Sequence, residues 1–177
     1  VGSTGYMFDN IDYNTLANIA GETLKASVFY LSAPAVLGKK SPPAAEIIAD
    51  NRMLREILEY SNRCNVYLLG IGTVNKDEIY VKSGIVDEEE LMSARNNGAV
   101  GNICGCFYDV DGNKCATDFE DRRIGIQLET LKAADVTIAV ASGKEKAIPT
   151  LGALRGGYVN SLFTDSETAG EILKNMG

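Results

Sequence analysis

The 177-residue chain contains no histidine. That absence excludes Ser-His-Asp and Cys-His arrangements, a histidine general base, and any zinc site that needs imidazole. Carboxylate, lysine and tyrosine chemistry stay open. Cysteine is sparse: Cys64, Cys104, Cys106 and Cys115 stand at spacings that match no common zinc pattern. They read as buried or partly buried free thiols of a cytoplasmic protein, with Cys104-Gly105-Cys106 the place for any redox sensitivity. No apolar run approaches the roughly 20 residues that span a bilayer, and the opening residues do not read as a signal peptide. Basic charge is short as well. Seventeen Lys and Arg face 24 Asp and Glu, a net charge of −7, which argues against this segment gripping nucleic acid. An anionic ligand has to be held by a local patch against the global field. No G-x-G-x-x-G lies between a strand and a helix, and no Walker-type loop is present, so no nucleotide or other cofactor is expected. Neither internal repeats nor low-complexity segments occur.

What is present is one domain's worth of ordinary globular chain, 45% hydrophobic and 23% charged. Apolar spacing predicts a helix over 12–25, with Leu16, Ile19, Ala20 and Leu24 inward. Ser27–Leu31 reads as a strand. A short helix is expected from Pro43 to Ala49, and Asn51 caps a helix to about Asn62, with Leu54, Ile57 and Leu58 inward. Asn65–Leu69 reads as a buried strand. Asp87 to Glu90 reads as the solvated acidic start of a short helix. Asp109 to Asn113 reads as a hairpin turn; its DxDG string falls short of a calcium loop, because Glu120 stands where the closing glutamate would be. A helix is expected over 124–133, a strand over 136–141, a helix from about Lys144 to Leu154, a strand over 159–164, and a last helix over 166–174. Strands alternate with helices. The predicted fold is α/β and Rossmann-like: a mainly parallel sheet with helices on both faces.

The unit from Val136 to Asp165 is the most informative. A strand ends in Ser142-Gly143-Lys144-Glu145-Lys146 and a helix follows. This sets two lysines and a helix start at the carboxyl end of a parallel strand, where open α/β folds bind ligands and where anions are favoured. Other loops follow predicted strands: Gly2-Ser3-Thr4-Gly5, Ser32-Ala33-Pro34 and Gly70-Ile71-Gly72. In a parallel sheet they share one edge and can converge on one pocket. Ser3 and Thr4 offer hydroxyls and amides to a phosphate, Gly70 and Gly72 allow close backbone approach, and Lys146 supplies charge. A glycine loop such as Gly2–Gly5 usually follows a strand, so the expectation is a fragment that begins just after, or inside, its first strand.

Gly2-Ser3-Thr4, Asn14-Thr15-Leu16-Ala17, Leu31-Ser32-Ala33-Pro34-Ala35, Gly70-Ile71-Gly72, Gly98-Ala99-Val100-Gly101-Asn102-Ile103, Phe107-Tyr108-Asp109 with Asp111-Gly112, Arg123-Ile124-Gly125, Gly143-Lys144-Glu145-Lys146-Ala147-Ile148, Ala153-Leu154-Arg155-Gly156-Gly157 and Thr164-Asp165 occur in one order. In this series the chain resembles the effector-binding domain of SorC/DeoR-type bacterial transcriptional regulators, over essentially all 177 residues. The resemblance implies a fold like that of sugar-phosphate isomerases and deaminases, and a phosphorylated sugar or related metabolite as effector. It also implies operator binding only through an N-terminal helix-turn-helix absent here, a homodimer or homotetramer in the cytoplasm, and no membrane partner. The ligand site it implies comprises Gly2, Ser3, Thr4, Gly5, Asn14, Ser32, Ala33, Pro34, Gly70, Gly72, Asn102 and Lys146, with no catalytic or metal-binding residue. The family's residue after Gly-Ala-Val-Gly is commonly acidic; here it is Asn102, whose amide donates as well as accepts. The competing expectation is a sugar-phosphate isomerase or deaminase on the same fold, against which the missing histidine and Asn102 both weigh.

Overall fold

A computed structural model describes residues 13–75 and 79–176. The helices are α1 Tyr13–Leu24, α2 Ala44–Asp50, α3 Arg52–Ser61, α4 Ile79–Lys82, α5 Glu88–Asn96, α6 Leu128–Lys132, α7 Ala147–Arg155 and α8 Ser166–Lys174. The strands are β1 Val66–Gly70, β2 Gly72–Thr73, β3 Gly101–Ile103, β4 Cys106–Tyr108, β5 Val136–Val140 and β6 Ser161–Phe163. Strands β1, β5 and β6 form a parallel sheet in the order β1-β5-β6, with Val66 opposite Val136 and Ile138 opposite Ser161. Strands β2, β3 and β4 form a small antiparallel sheet, Gly72 opposite Asn102 and Asn102 opposite Phe107. The fold is α/β with a mainly parallel principal sheet, as predicted.

One face of that sheet makes the main core. Tyr67, Leu69 and Ala139 point into a cluster with Leu128 and Leu131 of α6, Ala153 of α7, and Ile103, Cys106 and Tyr108 of the small sheet. Each large side chain fully buried there contributes roughly 1.5–3 kcal/mol. Period-two alternation puts Val66 and Leu68 on the opposite face, where they are 56% and 73% exposed. The sequence reading of a strand buried throughout is corrected accordingly: β1 is buried on one face.

Local signals set several boundaries. The Asn51 side chain accepts from the Leu54 amide at 3.1 Å, starting α3 where the cap predicts. Asp165 caps α8 in the same way, accepting from the Thr168 amide at 2.8 Å. At the turn between β3 and β4, Cys104 and Gly105 both take positive φ, 53° and 75°, as a type I′ hairpin requires. Asp109 accepts from the amides of Asp111 and Asn113 and from the Asn113 side chain, which closes the 109–113 turn. Burial is the largest single influence and raises its carboxyl, but the hydrogen bonds together outweigh it and hold the group below the usual range.

Other expectations are corrected. Ser27–Leu31 belongs to no strand: among the described residues its backbone has no ladder partner, and Phe29 packs on the Tyr60 ring at 5.4 Å. The apolar stripe of α1 is not buried, with Leu16, Ile19 and Leu24 at 49%, 51% and 74% exposure. The helix expected over 124–133 is reduced to α6. Its first residues are extended, because Arg123 bridges antiparallel to Val36 and the Ile124 amide donates to Ala35 O at 2.9 Å. The acidic start of α5 is only partly solvated. Asp87 and Glu90 form a reciprocal capping box, and Glu90 is buried against Arg122. Cys106 and Cys115 are buried, Cys104 is half-buried, and Cys64 is exposed. Burial pushes the Cys106 thiol up to about 11, away from thiolate reactivity.

Candidate functional site

The carboxyl ends of β1 and β5 lie side by side, Gly70 opposite Val140. From β5 the chain enters Ser142-Gly143, a 3-10 turn over Lys144–Lys146, and then α7. Gly143 sits at φ 113°, a conformation that glycine alone adopts without strain. Its amide donates to the Asp165 carboxylate at 3.2 Å and to the Thr168 hydroxyl at 2.9 Å. Ser142 donates to the same carboxylate at 2.7 Å, and the Thr168 hydroxyl donates to it at 2.6 Å. Hydrogen bonds from the Thr168 hydroxyl and amide, then from Ser142, hold the Asp165 carboxyl far below the ordinary aspartate value. Asp165 is thus saturated with donors and pins the loop onto α8.

The pinned loop gives its two lysines different fates. Lys144 turns outward and pairs with Glu167 at 2.8 Å, both side chains well exposed. Lys146 turns inward, half-buried, and donates to the carbonyl oxygen of Ile71 at 2.7 Å. Asn102 approaches the same strand junction from the other side. It is 3% exposed and donates through Nδ2 to Thr73 O at 3.3 Å. Gly72 lies between these contacts, and a Cβ there would meet the Asn102 side chain well inside contact distance. Residues 71–73 are therefore clasped between an ammonium and a buried amide, at the carboxyl end of the parallel sheet. Among the described residues Lys146 has no carboxylate partner, and its protein contact is the Ile71 carbonyl.

Of the residues singled out from sequence, the structure brings Gly70, Gly72, Asn102 and Lys146 together. Asn14 is exposed on α1, Ser32 and Pro34 are exposed, and Ala33 is buried. No hydrogen bond among the described residues joins Asn14 or Ser32 to Lys146 or Asn102. The 32–34 loop is tied in indirectly: Leu37 N donates to Arg122 O at 2.8 Å, and Arg123 reaches the β3–β4 turn that follows Asn102. Gly2, Ser3, Thr4 and Gly5 lie outside the described residues. Sequence reasoning missed Asp165 and Thr168 as anchors of the loop, although Asp165 with Thr168 three residues on is a cap-like spacing. Arg123 was named only within the Arg123-Ile124-Gly125 motif, with no role given to it. A separate open cavity of about 430 Å³, lined by Asn62, Arg63, Asn65, Glu129 and Asp135 among others, lies at the opposite, amino-terminal edge of the sheet. It holds none of the clasping residues. No group of metal-ligating side chains occurs among the described residues, and no helix there is long and apolar enough to cross a membrane.

Comparison with known proteins gives this geometry a context. Residues 1–174 match the model of the Sugar-bind family, described as a sugar-binding domain. The chain is 32% identical over 147 residues to the deoxyribonucleoside regulator of Bacillus subtilis (strain 168), covering 83% of this chain and 46% of that protein. It is 31% identical over 179 residues to the sorbitol operon regulator of Klebsiella pneumoniae, covering 98% of this chain and 54% of the relative. Its structure is similar to the crystal structure of a probable sor operon regulator from Shigella flexneri, with a TM-score of 0.86 and 29% identity, over 98% of this chain and 67% of the other. The chain spans about half the length of the curated relatives it matches.

Proposed function

Because the chain belongs to the Sugar-bind family of sugar-binding domains, we propose that it is the effector-sensing part of a bacterial SorC/DeoR-type transcriptional regulator. Its effector is a phosphorylated sugar or related metabolite, held at the carboxyl edge of β1 and β5. The observation that carries this reading is the Lys146 ammonium: half-buried, donating to Ile71 O, and with no carboxylate partner among the described residues. An ammonium has three donors, so two remain for a phosphate once the carbonyl of Ile71 is satisfied. The Asn102 amide beside it can both donate to and accept from sugar hydroxyls. The loops Gly2–Gly5 and Ser32–Pro34, with Asn14 and Gly70, complete the proposed ligand contacts.

Function follows by linkage. A sugar phosphate that binds one arrangement of the 71–73 and 142–146 segments better than another shifts the population toward it, and only that difference in affinity counts. In the full-length regulator the shift alters how a DNA-binding domain elsewhere in the polypeptide meets its operator. A homodimer or homotetramer in the cytoplasm suits a palindromic operator.

The test is a thermal-shift screen over phosphorylated sugars and their unphosphorylated parents. A ligand that binds only the folded state raises the melting temperature with concentration. Stabilisation by phosphorylated members without conversion supports the sensor. Turnover of the bound sugar phosphate would replace it with an isomerase or deaminase.

A further inference from the structure

Arg123 is the most anomalous charge among the described residues. It is only 5% exposed and takes part in no ion pair among them. Asp121, two residues away, is exposed; Glu120 pairs with Lys114 through Oε1 at 2.7 Å and keeps a buried Oε2 that makes no hydrogen bond to Arg123; and Glu90 pairs with Arg122. Its Nη1 donates to Ile126 O at 2.9 Å and to Cys104 O at 3.3 Å. Its Nε and Nη2 are buried and have no partner. These two atoms are not an arbitrary pair. Their N–H bonds run parallel along one edge of the guanidinium, forming the fork that takes a carboxylate or phosphate through two hydrogen bonds. A buried guanidinium edge with no protein acceptor is a favourable place for an anion, because buried donors gain from a charged hydrogen-bond partner.

The position of the fork relates it to the candidate site. The backbone of Arg123 bridges to Val36, just beyond the 32–34 loop. Its side chain passes beneath the Cys104–Gly105 turn, two residues from Asn102, where a Cβ on Gly105 would come within 3.1 Å of the Tyr80 hydroxyl and 3.2 Å of Arg123 Cδ. Arg123 therefore joins the segment that follows Ser32–Pro34, through its backbone, to the hairpin carrying Asn102, through its side chain. We infer that Arg123 is the binding residue for one anionic group, a carboxylate or phosphate, taken bidentately on Nε and Nη2. The fork is closed to solvent, so entry requires the Cys104–Gly105 turn and the Arg123 side chain to part. Two sources share this chemistry: a second anionic group on the effector, which rests on the sensor reading above, and free inorganic phosphate, which does not.

The experiment follows the side-chain Nε–H resonance of Arg123 in the ¹⁵N-labelled wild-type protein. Inorganic phosphate, glucose 6-phosphate and glucose 1,6-bisphosphate are titrated at constant ionic strength against a chloride control. The expected result is a saturable shift of that resonance, absent in chloride. Phosphate-dependent thermal stabilisation should persist in Lys146→Ala and weaken at least tenfold in apparent affinity in Arg123→Lys, which keeps the charge and lacks the fork. A shift at lower concentration with the bisphosphate than with inorganic phosphate assigns the group to the effector; a response to inorganic phosphate alone assigns it to a free anion. An Arg123 resonance that stays still with all three probes overturns the inference, whether or not the variants fold. The two readings also fail separately. Lys146-dependent binding of sugar phosphate with a still Arg123 removes this inference and leaves the sensor. A moving Arg123 with no affinity for any sugar phosphate does the reverse.

Discussion

Lys146 donates to the carbonyl oxygen of Ile71 across 75 residues of sequence, at 2.7 Å. The bond joins the loop after β5 to the end of β1, and it holds an ammonium at the sheet edge where α/β folds place ligands. Asn102 meets the same junction through Thr73. Most of what the candidate site can do follows from how this clasp is supported.

Gly72 is the clasp's narrowest point. A methyl group there runs into the Asn102 side chain, and Asn102 is too buried to swing aside. Gly72→Ala is expected to lower stability by about 1–3 kcal/mol through overpacking and to weaken sugar-phosphate binding as well. Urea unfolding paired with titration calorimetry checks both. Gly70, which has open space around its Cβ position, should tolerate alanine in the same stability assay.

Asp165 gives a pH dependence of known sign. Its folded-state carboxyl titrates below the ordinary aspartate value, chiefly because of the Thr168 hydroxyl and amide and the Ser142 hydroxyl. The stabilisation is therefore fully present above the unfolded value, about 3.9, and is lost as pH falls below it toward the folded value. Asp165→Asn turns an amide toward donors that need an acceptor. It should lower the melting temperature by several degrees at pH 7, with the difference from wild type shrinking as pH is lowered below about 4. A constant difference across that range would contradict the role given to Asp165.

The sequence carried some of this architecture and not the rest, for physical reasons. Helix α3 and its Asn51 cap, the β5 strand and the last helix were legible because their determinants are local: a 3.6-residue period, a cap side chain, an apolar run. Ser27–Leu31 has the composition of a strand, but a strand exists only through a neighbour, and composition does not supply one. The stretch after Arg123 has helical spacing and is extended instead, because Val36 and Ala35 pair with its backbone. At the site, Lys146 and Gly72 were legible as residue types after strands. The partners that give them meaning, Ile71 O and the Asn102 amide, belong to other segments. Arg123 was visible only as part of a motif, since its open fork depends on which carboxylates fail to reach it.

Glu90 makes the same point in the α5 capping box. From sequence it is the last member of an acidic helix start, yet it is 6% exposed and paired with Arg122, which also donates to Leu37 O at 2.7 Å. Removing one partner strands a buried charge. Glu90→Ala should cost about 3 kcal/mol, whereas Glu89→Ala, on the exposed side, should change stability by less than about 0.5 kcal/mol. Thermal or urea unfolding of the two variants side by side separates them.

The central claim is that Lys146 contacts the phosphate of a sugar effector. Its most direct test is titration calorimetry of wild type and Lys146→Ala with the best phosphorylated sugar from the thermal-shift screen and with its unphosphorylated parent. The account predicts a loss of about 1.5–3 kcal/mol in binding the phosphorylated sugar, the range for a hydrogen bond to a charged group, with a much smaller change for the parent and a melting temperature within a few degrees of wild type. Equal weakening for both sugars, or a loss of stability with unchanged phosphate-dependent affinity, would contradict it.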